Sequence, residues 1–272
     1  MTTTGRSVAF DQAADYYDRT RALPEATVRS TVDLLGGELV GHGRALEIGV
    51  GTGRIALPLH RAGASMAGVD LSAPMLQRLG HNAGGTAPFP IAVADATRLS
   101  FADDTFGAGI ACHVLHLVAD WELAIDELVR VVRPGGVLLV DPGGGWPEEH
   151  AQITTRFQQE ASAQAALPGV GAAADRTLTG LGRAADLDAA IDARGGRLRL
   201  LPVVANPSTK TLSAVIGEME DGQRSWNWQL SAADLRRAGE RVRAWAQERW
   251  GDLDAELELA GEIQWRAYDL PA

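Results

Sequence analysis

Apolar and polar residues along this chain follow two periods, and the switches between them mark its elements. The segment AADYYDRTRALPEA reads as a short helix broken at Pro24. From Glu25 to Leu35, Val28, Val32 and Leu35 share one helical face, and Gly36 and Gly37 predict its stop. Ala45 to Ile48 is an apolar strand that runs into the glycine-rich turn Gly49 to Gly53. A helix is expected from about Arg54 to Ala62, perturbed by Pro58. Further strands are predicted at Met66–Asp70, Ile91–Ala94, a run ending at Ile110–Cys112, and Val137–Val140. Before the last of these, ELAIDELVRVV has helical spacing and stops at Pro134-Gly135-Gly136. Strands alternating with helices predict a largely parallel sheet covered on both faces.

Beyond Asp141 the regularity falls. Helices are expected at about 148–166 and 183–194, with a sixth strand at Arg197–Ala205. The stretch Leu212–Arg249 is again helical. Its last helix opens with the capping-box-like pair Ser231 and Asp234 and then sets Leu235, Ala238, Val242 and Trp245 on one face. Ile263–Tyr268 alternates as a last strand should. These elements suit one domain over residues 1–272. Its core would take in about 40–145, 183–206 and 256–270, with a helical cap at about 146–180 and 207–252.

The 272 residues are 46% hydrophobic and 22% charged, enough to bury a sizeable core. A net charge of −10 argues against a nucleic-acid partner and against an anionic membrane surface. The single cysteine, Cys112, excludes an internal disulfide. No segment has the length of a signal-peptide core or a membrane span, so the cytoplasm is the expected compartment. No metal-ligand spacing stands out.

The turn after the first strand carries the chemistry. Glu47, Gly49, Gly51 and Gly53 form Glu-x-Gly-x-Gly-x-Gly. Such glycines let the backbone turn sharply and a ligand approach the main chain, at the sheet edge where doubly wound folds bind ligands. A dinucleotide fingerprint would need a small residue at position 54, and the chain has Arg54. The second strand ends at Asp70 and the third at a second acid, Asp95. Asp70 can accept two ribose hydroxyls and Asp95 an adenine amino group, which suits an adenosine ligand without pyrophosphate. Either acid could instead serve as a helix cap.

Four blocks, LEIGVGTGR, GVDLSAPML, ADATRLSFADDTF and ELVRVVRPGGVLLV, occur in order. From about Tyr16 to Val140 the chain resembles the class I S-adenosylmethionine-dependent methyltransferases, in their small-molecule, quinone-methyltransferase-like branch. The resemblance implies a seven-stranded, mostly parallel α/β sheet with an antiparallel last strand. It also implies methyl transfer from S-adenosylmethionine to a small organic acceptor by in-line displacement. Gly49, Gly51 and Gly53 would pass under the methionine part of the cofactor. Asp70 would take the ribose, Leu71 and Met75 would flank the adenine, and Asp95 with Ala96 would read its edge. Tyr17 would lie near the sulfonium, and Arg21 would pair with the methionine carboxylate. One departure stands out: the family's Phe-Asp at the start of the fourth strand is Phe106-Gly107 here.

After the fourth strand, ACHVLHLV places Cys112 and His113 beside the expected methyl group, with His116 one turn on. A histidine there is a candidate base for a protic acceptor, and equally a structural residue. His60 and His81 read as surface residues. Trp146, Trp226 and Trp228 read as packing residues at least as readily as pocket walls. Arg236, Arg237, Arg241, Arg243 and Arg249, interleaved with Glu240 and Glu248, read as an ion-paired face. Two competing functions remain: a regulator that binds the cofactor without turnover, and a nicotinamide-dependent oxidoreductase.

Overall fold

The computed structural model describes residues 7–145, 147–164, 180–228 and 230–272. Trp146 and the segment 165–179 therefore lie outside the described residues, and with them part of the expected cap. The chain divides into two compact units. One comprises Met1–Gly144, Thr179–Val204 and Ile263–Ala272; the other comprises Gly145–Leu178 and Ala205–Glu262.

The first unit holds strands β1 (Ala45–Ile48), β2 (Met66–Asp70), β3 (Ile91–Val93), β4 (Phe106–Cys112), β5 (Val132–Asp141), β6 (Arg197–Leu200) and β9 (Arg266–Asp269). They form one seven-stranded sheet in the order β3-β2-β1-β4-β5-β9-β6. The strands from β3 to β5 run parallel, and β9 is antiparallel to both β5 and β6. This is the doubly wound α/β fold. The strand order reverses between β1 and β4, so the connections leaving these two strands diverge and open a crevice at their C-terminal ends.

The central strands are buried on both faces, and successive residues alternate between two core clusters. Ala45, Ile110, Val137 and Leu139 belong to one core cluster, with Leu35 and Leu39 of α2 (Glu25–Leu39) and Leu57 and Leu59 of α3 (Ala56–Arg61). Leu46, Ile48, Ala111, Leu138 and Val140 belong to the other. They meet Ile125 and Leu128 of α5 (Trp121–Val131) and Leu187 and Ile191 of α7 (Ala184–Asp192). Two helices complete the unit, α1 (Tyr17–Arg21) and α4 (Ala73–Asn82). Ser72 caps α4 by accepting from the Met75 N–H at 3.3 Å, a contribution of about 1 kcal/mol.

The second unit contains α6 (Glu148–Gln164), α8 (Leu212–Glu220), α9 (Ala232–Trp250) and a two-stranded sheet of β7 (Val204–Lys210) and β8 (Leu257–Ile263). It has its own core, with Ile153 and Phe157 of α6, Val215 and Ile216 of α8, and Leu235 and Val242 of α9. Ser231 caps α9 as its sequence predicts, accepting from the Asp234 N–H at 3.1 Å. The arginine-rich helix is ion-paired: Arg237 with Asp234, Arg241 with Glu160 and Arg243 with Glu220. Trp226 packs edge-on against Phe157, and the Trp228 indole N–H donates to the Gly222 carbonyl.

Five elements differ from the sequence expectation, the simplest being β5, which starts at Val132 rather than Val137 and runs through Pro134-Gly135-Gly136. Helix α2 runs through Gly36 and Gly37 to Leu39, because burying Leu39 one turn after Leu35 outweighs the helix cost of two glycines. Pro58 does not perturb α3. It sits in the first turn, where no N–H is needed, and its carbonyl still accepts from the Ala62 N–H. The expected strand 197–205 is two strands in different sheets. Leu201 N–H makes a last bond to the Trp265 carbonyl, and Pro202, with no N–H, cannot continue the ladder. The expected last strand 263–268 is likewise two, broken at Gln264 and Trp265, so residues 257–262 belong to the second unit rather than to the sheet core.

The Phe106-Gly107 departure has a steric cause. A Cβ on Gly107 would fall 1.4 Å from the His42 carbonyl oxygen, and the Gly107 N–H donates to Arg44 at 2.9 Å. The loop before β1 occupies the space that a side chain here would need.

Candidate functional site

The first unit brings most of the expected residues to the crevice at the ends of β1 and β4. Gly49, Gly51 and Gly53 all have positive φ, at 63°, 55° and 85°. A Cβ on Gly49 would fall 2.3 Å from the Val114 side chain, and one on Gly51 would fall 3.3 Å from Met75 Cε. The turn is therefore folded tightly against the β4 loop on one side and α4 on the other, with its backbone bare.

Asp70 ends β2 and faces this turn. One carboxylate oxygen accepts from the Gly51 N–H at 2.8 Å and the other from the Ser72 N–H at 2.8 Å. Each oxygen keeps acceptor capacity for a further donor. Burial raises the Asp70 carboxyl despite the backbone donors from Ser72 and Gly51 that oppose it. Leu71 next to it is exposed, and Met75 is buried under the turn. Asp95 is solvent-exposed and accepts from both the N–H and the hydroxyl of Thr97, at 2.9 and 2.8 Å; Ala96 between them is half-buried.

Helix α1 is tied to the same turn. Asp18 accepts from the Thr52 hydroxyl at 2.6 Å, from Asn82 at 2.9 Å and from Arg78 at 3.1 Å. Tyr17 stands beside Arg54 and Cys112, and burial raises its phenol, keeping it protonated. A cleft of about 220 Å³ opens here, lined in part by Tyr17, Arg21, Thr52, Gly53, Arg54 and Arg61. Three cations against one carboxylate, Asp18, leave this small cleft net positive, which suits an anionic group.

Beneath the turn, Glu47 is 2% exposed, and its Oε2 has no hydrogen-bond partner. Burial pushes its carboxyl up to about 8, with the Arg54 charge working against the rise. Arg54 donates to the Arg21 carbonyl at 3.3 Å and to Cys112 Sγ at 3.5 Å. Burial holds the Cys112 thiol well above its ordinary range, so it stays protonated.

At the end of β4, His113 has φ of 51°, and its Nε2 lies 3.0 Å from Asp141 Oδ2. Asp141 ends β5 and is 5% exposed; its other oxygen accepts from the Gly143 N–H at 2.9 Å. Burial works to raise this carboxyl. The His113 charge, the His113 hydrogen bond and the Gly143 N–H outweigh it, holding Asp141 below the usual carboxylate range. His116 packs edge-on to His113, with ring centroids 6.4 Å apart. Burial, reinforced by the His113 charge, pushes His116 down to about 4, so it is neutral near pH 7.

Two residues of this site were missed in the sequence. Arg54 entered only as an obstacle to a dinucleotide turn, yet it sits among Tyr17, Cys112 and Asp141. Asp141 was passed over, although a third acid at a strand end carries the same signal as Asp70 and Asp95. Of the other histidines, His60 packs on Phe89 and His81 is exposed. Among the described residues no cluster of His, Cys, Asp and Glu could hold a metal. No helix among them is long and apolar enough to cross a membrane.

A bare left-handed glycine turn, an orphaned buried carboxylate oxygen beneath it and a strand-end aspartate facing it fit a cationic adenosine cofactor. Comparison with known proteins agrees. Residues 46–140 match the family described as Methyltransferase domain. Residues 46–140 thus match a methyltransferase domain and lie on a doubly wound α/β sheet. The chain is 32% identical over 143 residues to a demethylmenaquinone methyltransferase of Clavibacter sepedonicus, covering 49% of this chain and 56% of that protein. It thus spans little more than half the length of that curated relative. Among solved structures it resembles the YcgJ protein of Bacillus subtilis, with TM-score 0.59, 15% identity, and coverage of 90% of this chain and 100% of the other. It also resembles a phosphoethanolamine N-methyltransferase of Haemonchus contortus, solved with S-adenosylhomocysteine. The TM-score is 0.53 at 17% identity, over 96% of this chain and 58% of the other.

Proposed function

We propose that this protein transfers a methyl group from S-adenosylmethionine to a small organic acceptor by in-line displacement. The observation that carries the reading is the Gly49–Gly53 turn locked to Asp70 by the 2.8 Å bond from the Gly51 N–H. That bond fixes one carboxylate oxygen and aims its remaining capacity at the crevice, where ribose hydroxyls would be held. Leu71 and Met75 flank the adenine position, and Asp95 with Ala96 lies at its edge. Glu47, below the glycines, supplies a buried acceptor for the cofactor's ammonium group. Arg21 and Arg54 together line the cleft that would take its carboxylate, which adds Arg54 to the expected set. Tyr17 and Cys112 stay protonated and bound the middle of the site.

When bound, S-adenosylmethionine supplies a methyl carbon already activated by its sulfonium. The chain's task is then alignment and exclusion of water, with His113 or His116 placed to accept a proton from a protic acceptor. The name of the Clavibacter relative supports a small organic acceptor.

The test is titration calorimetry with S-adenosylhomocysteine on the native protein and on Asp70→Asn. The reading expects micromolar binding and a loss of at least tenfold in the variant. No binding by the native protein at millimolar ligand would overturn it.

A further inference from the structure

Resting on the methyl-transfer reading, we infer that Asp141 is a positioning residue. It holds His113 with the proton on Nε2, leaving Nδ1 as the base for an acceptor of phenolic or enolic acidity. Three observations carry this. First, the 3.0 Å contact joins His113 Nε2 to the Oδ2 oxygen of Asp141. Asp141 is itself fixed: its Oδ1 accepts from the Gly143 N–H at 2.9 Å, and the Cys112 thiol approaches Oδ2 at 3.8 Å. Second, His113 and Asp104 are the non-glycine residues with positive φ among the described residues. A left-handed backbone costs energy unless something requires it, and such strain clusters at working sites. Here it turns the imidazole onto the end of β5. Third, the Nδ1 edge lies beside a glycine, where a side chain would crowd it. Gly143 has no side chain, and a Cβ there would lie 3.4 Å from both Nδ1 and Cε1. The His113 side chain keeps 29% exposure while its Asp141 partner keeps 6%.

His116 cannot share the task equally. Among the described residues it makes no carboxylate contact of its own, and it packs beside His113, whose charge disfavours a second one. In the transfer, the acceptor oxygen gives its proton to His113 Nδ1 as its lone pair bonds to the methyl carbon. The carbon–sulfur bond breaks and its electron pair stays on sulfur. The imidazolium is held against the Asp141 carboxylate until water takes the proton. An imidazole base matches a phenol or enol; an alkyl hydroxyl is too weak an acid for it.

The test needs no cofactor or acceptor. In protein labelled with 15N at histidine, long-range proton–nitrogen correlation at pH 9 reads the tautomer of each ring. His113 is assigned by the signal lost in His113→Gln. The native protein should show His113 as the Nε2–H tautomer. In Asp141→Asn the carbonyl must stay on the Gly143 side to accept that N–H. The amide NH₂ then faces Nε2 and drives the proton to Nδ1, as in the wrong-tautomer variant of the serine-protease triad. An Nδ1–H tautomer in the native protein, or an unchanged Nε2–H tautomer in the variant, overturns the proposal. Should Asp141→Asn fail to fold, the native tautomer alone decides. Calorimetry with S-adenosylhomocysteine on the native protein separates the two failures. Binding with the wrong tautomer sinks the dyad, whereas the right tautomer without binding sinks the methyl-transfer reading.

Discussion

Asp18 and Thr52 are 34 residues apart in sequence and 2.6 Å apart in space, the Thr52 hydroxyl donating to the Asp18 carboxylate. This bond ties the short helix α1 to the glycine turn. At five residues α1 is too short to hold itself as a helix in water. Its order comes from Asp18, which also takes Asn82 and Arg78. Asp18→Ala should therefore free Tyr17 and Arg21 from the site. The expected result is a loss of ten- to a hundredfold in S-adenosylhomocysteine affinity by calorimetry, with a fall of about 1–2 kcal/mol in urea-unfolding stability. Unchanged affinity would mean that α1 is not part of the cofactor site.

Glu47 makes the ligand-free protein sensitive to rising pH. Its carboxyl is raised to about 8 by burial, and in the unfolded chain it titrates near the ordinary 4.5. Between these values the folded state binds more protons than the unfolded, so this group's contribution to stability falls as pH rises from about 4.5 to 8. Glu47→Gln removes the charge and keeps the shape. Urea titrations at pH 5.5 and 8 should show the variant gaining on the native protein at the higher pH, by about 1–3 kcal/mol. Equal differences at both pH values would show that Glu47 is ionised in the folded state throughout.

His116 acts in the opposite direction. Burial and the neighbouring His113 charge lower it from 6.5 to about 4. The unfolded chain thus binds more protons across that interval, and stability is lost as pH falls from about 6.5 to 4. His116→Gln, neutral at every pH, should flatten the stability profile over this window and leave it unchanged above pH 7. Circular-dichroism melts at half-unit pH steps would show it. A parallel profile in the variant would place the sensitivity elsewhere.

Much of the first unit was legible in its sequence. Strands and helices alternate over most of residues 45–141, with apolar runs of the right lengths, so β1, β2 and α5 stand where periodicity puts them. Asp70 and the glycines are visible because only certain residue types do their work. The failures share a cause: local pattern lost to distant contacts. Leu39 draws α2 past two glycines into the core. The apolar run 197–205 hides a break at Pro202 between two sheets, and Leu257–Ile263 pairs with β7 rather than joining the main sheet. In the site, Arg54 and Asp141 look ordinary along the chain. Their importance comes from β4, which sets Cys112 and His113 against both.

Gly107 gives a prediction independent of any cofactor. Restoring the acid that the resemblance leads one to expect, as Gly107→Asp, would drive a Cβ into the His42 carbonyl at 1.4 Å and place a carboxylate in a fully buried strand. Neither neighbour yields cheaply. The Gly107 N–H is bonded to Arg44, and Phe106 and Ala108 on either side are core residues at 3% and 0% exposure. An overpacked backbone contact and a buried unpaired charge each cost several kcal/mol. The variant should lose more than about 3 kcal/mol and be recovered mainly as insoluble protein. Gly107→Ala separates the causes, since it keeps the clash and omits the charge. A soluble Gly107→Asp protein with native stability would mean that the 40–44 loop relaxes away from β4, and that the departure from the family pattern has no steric origin.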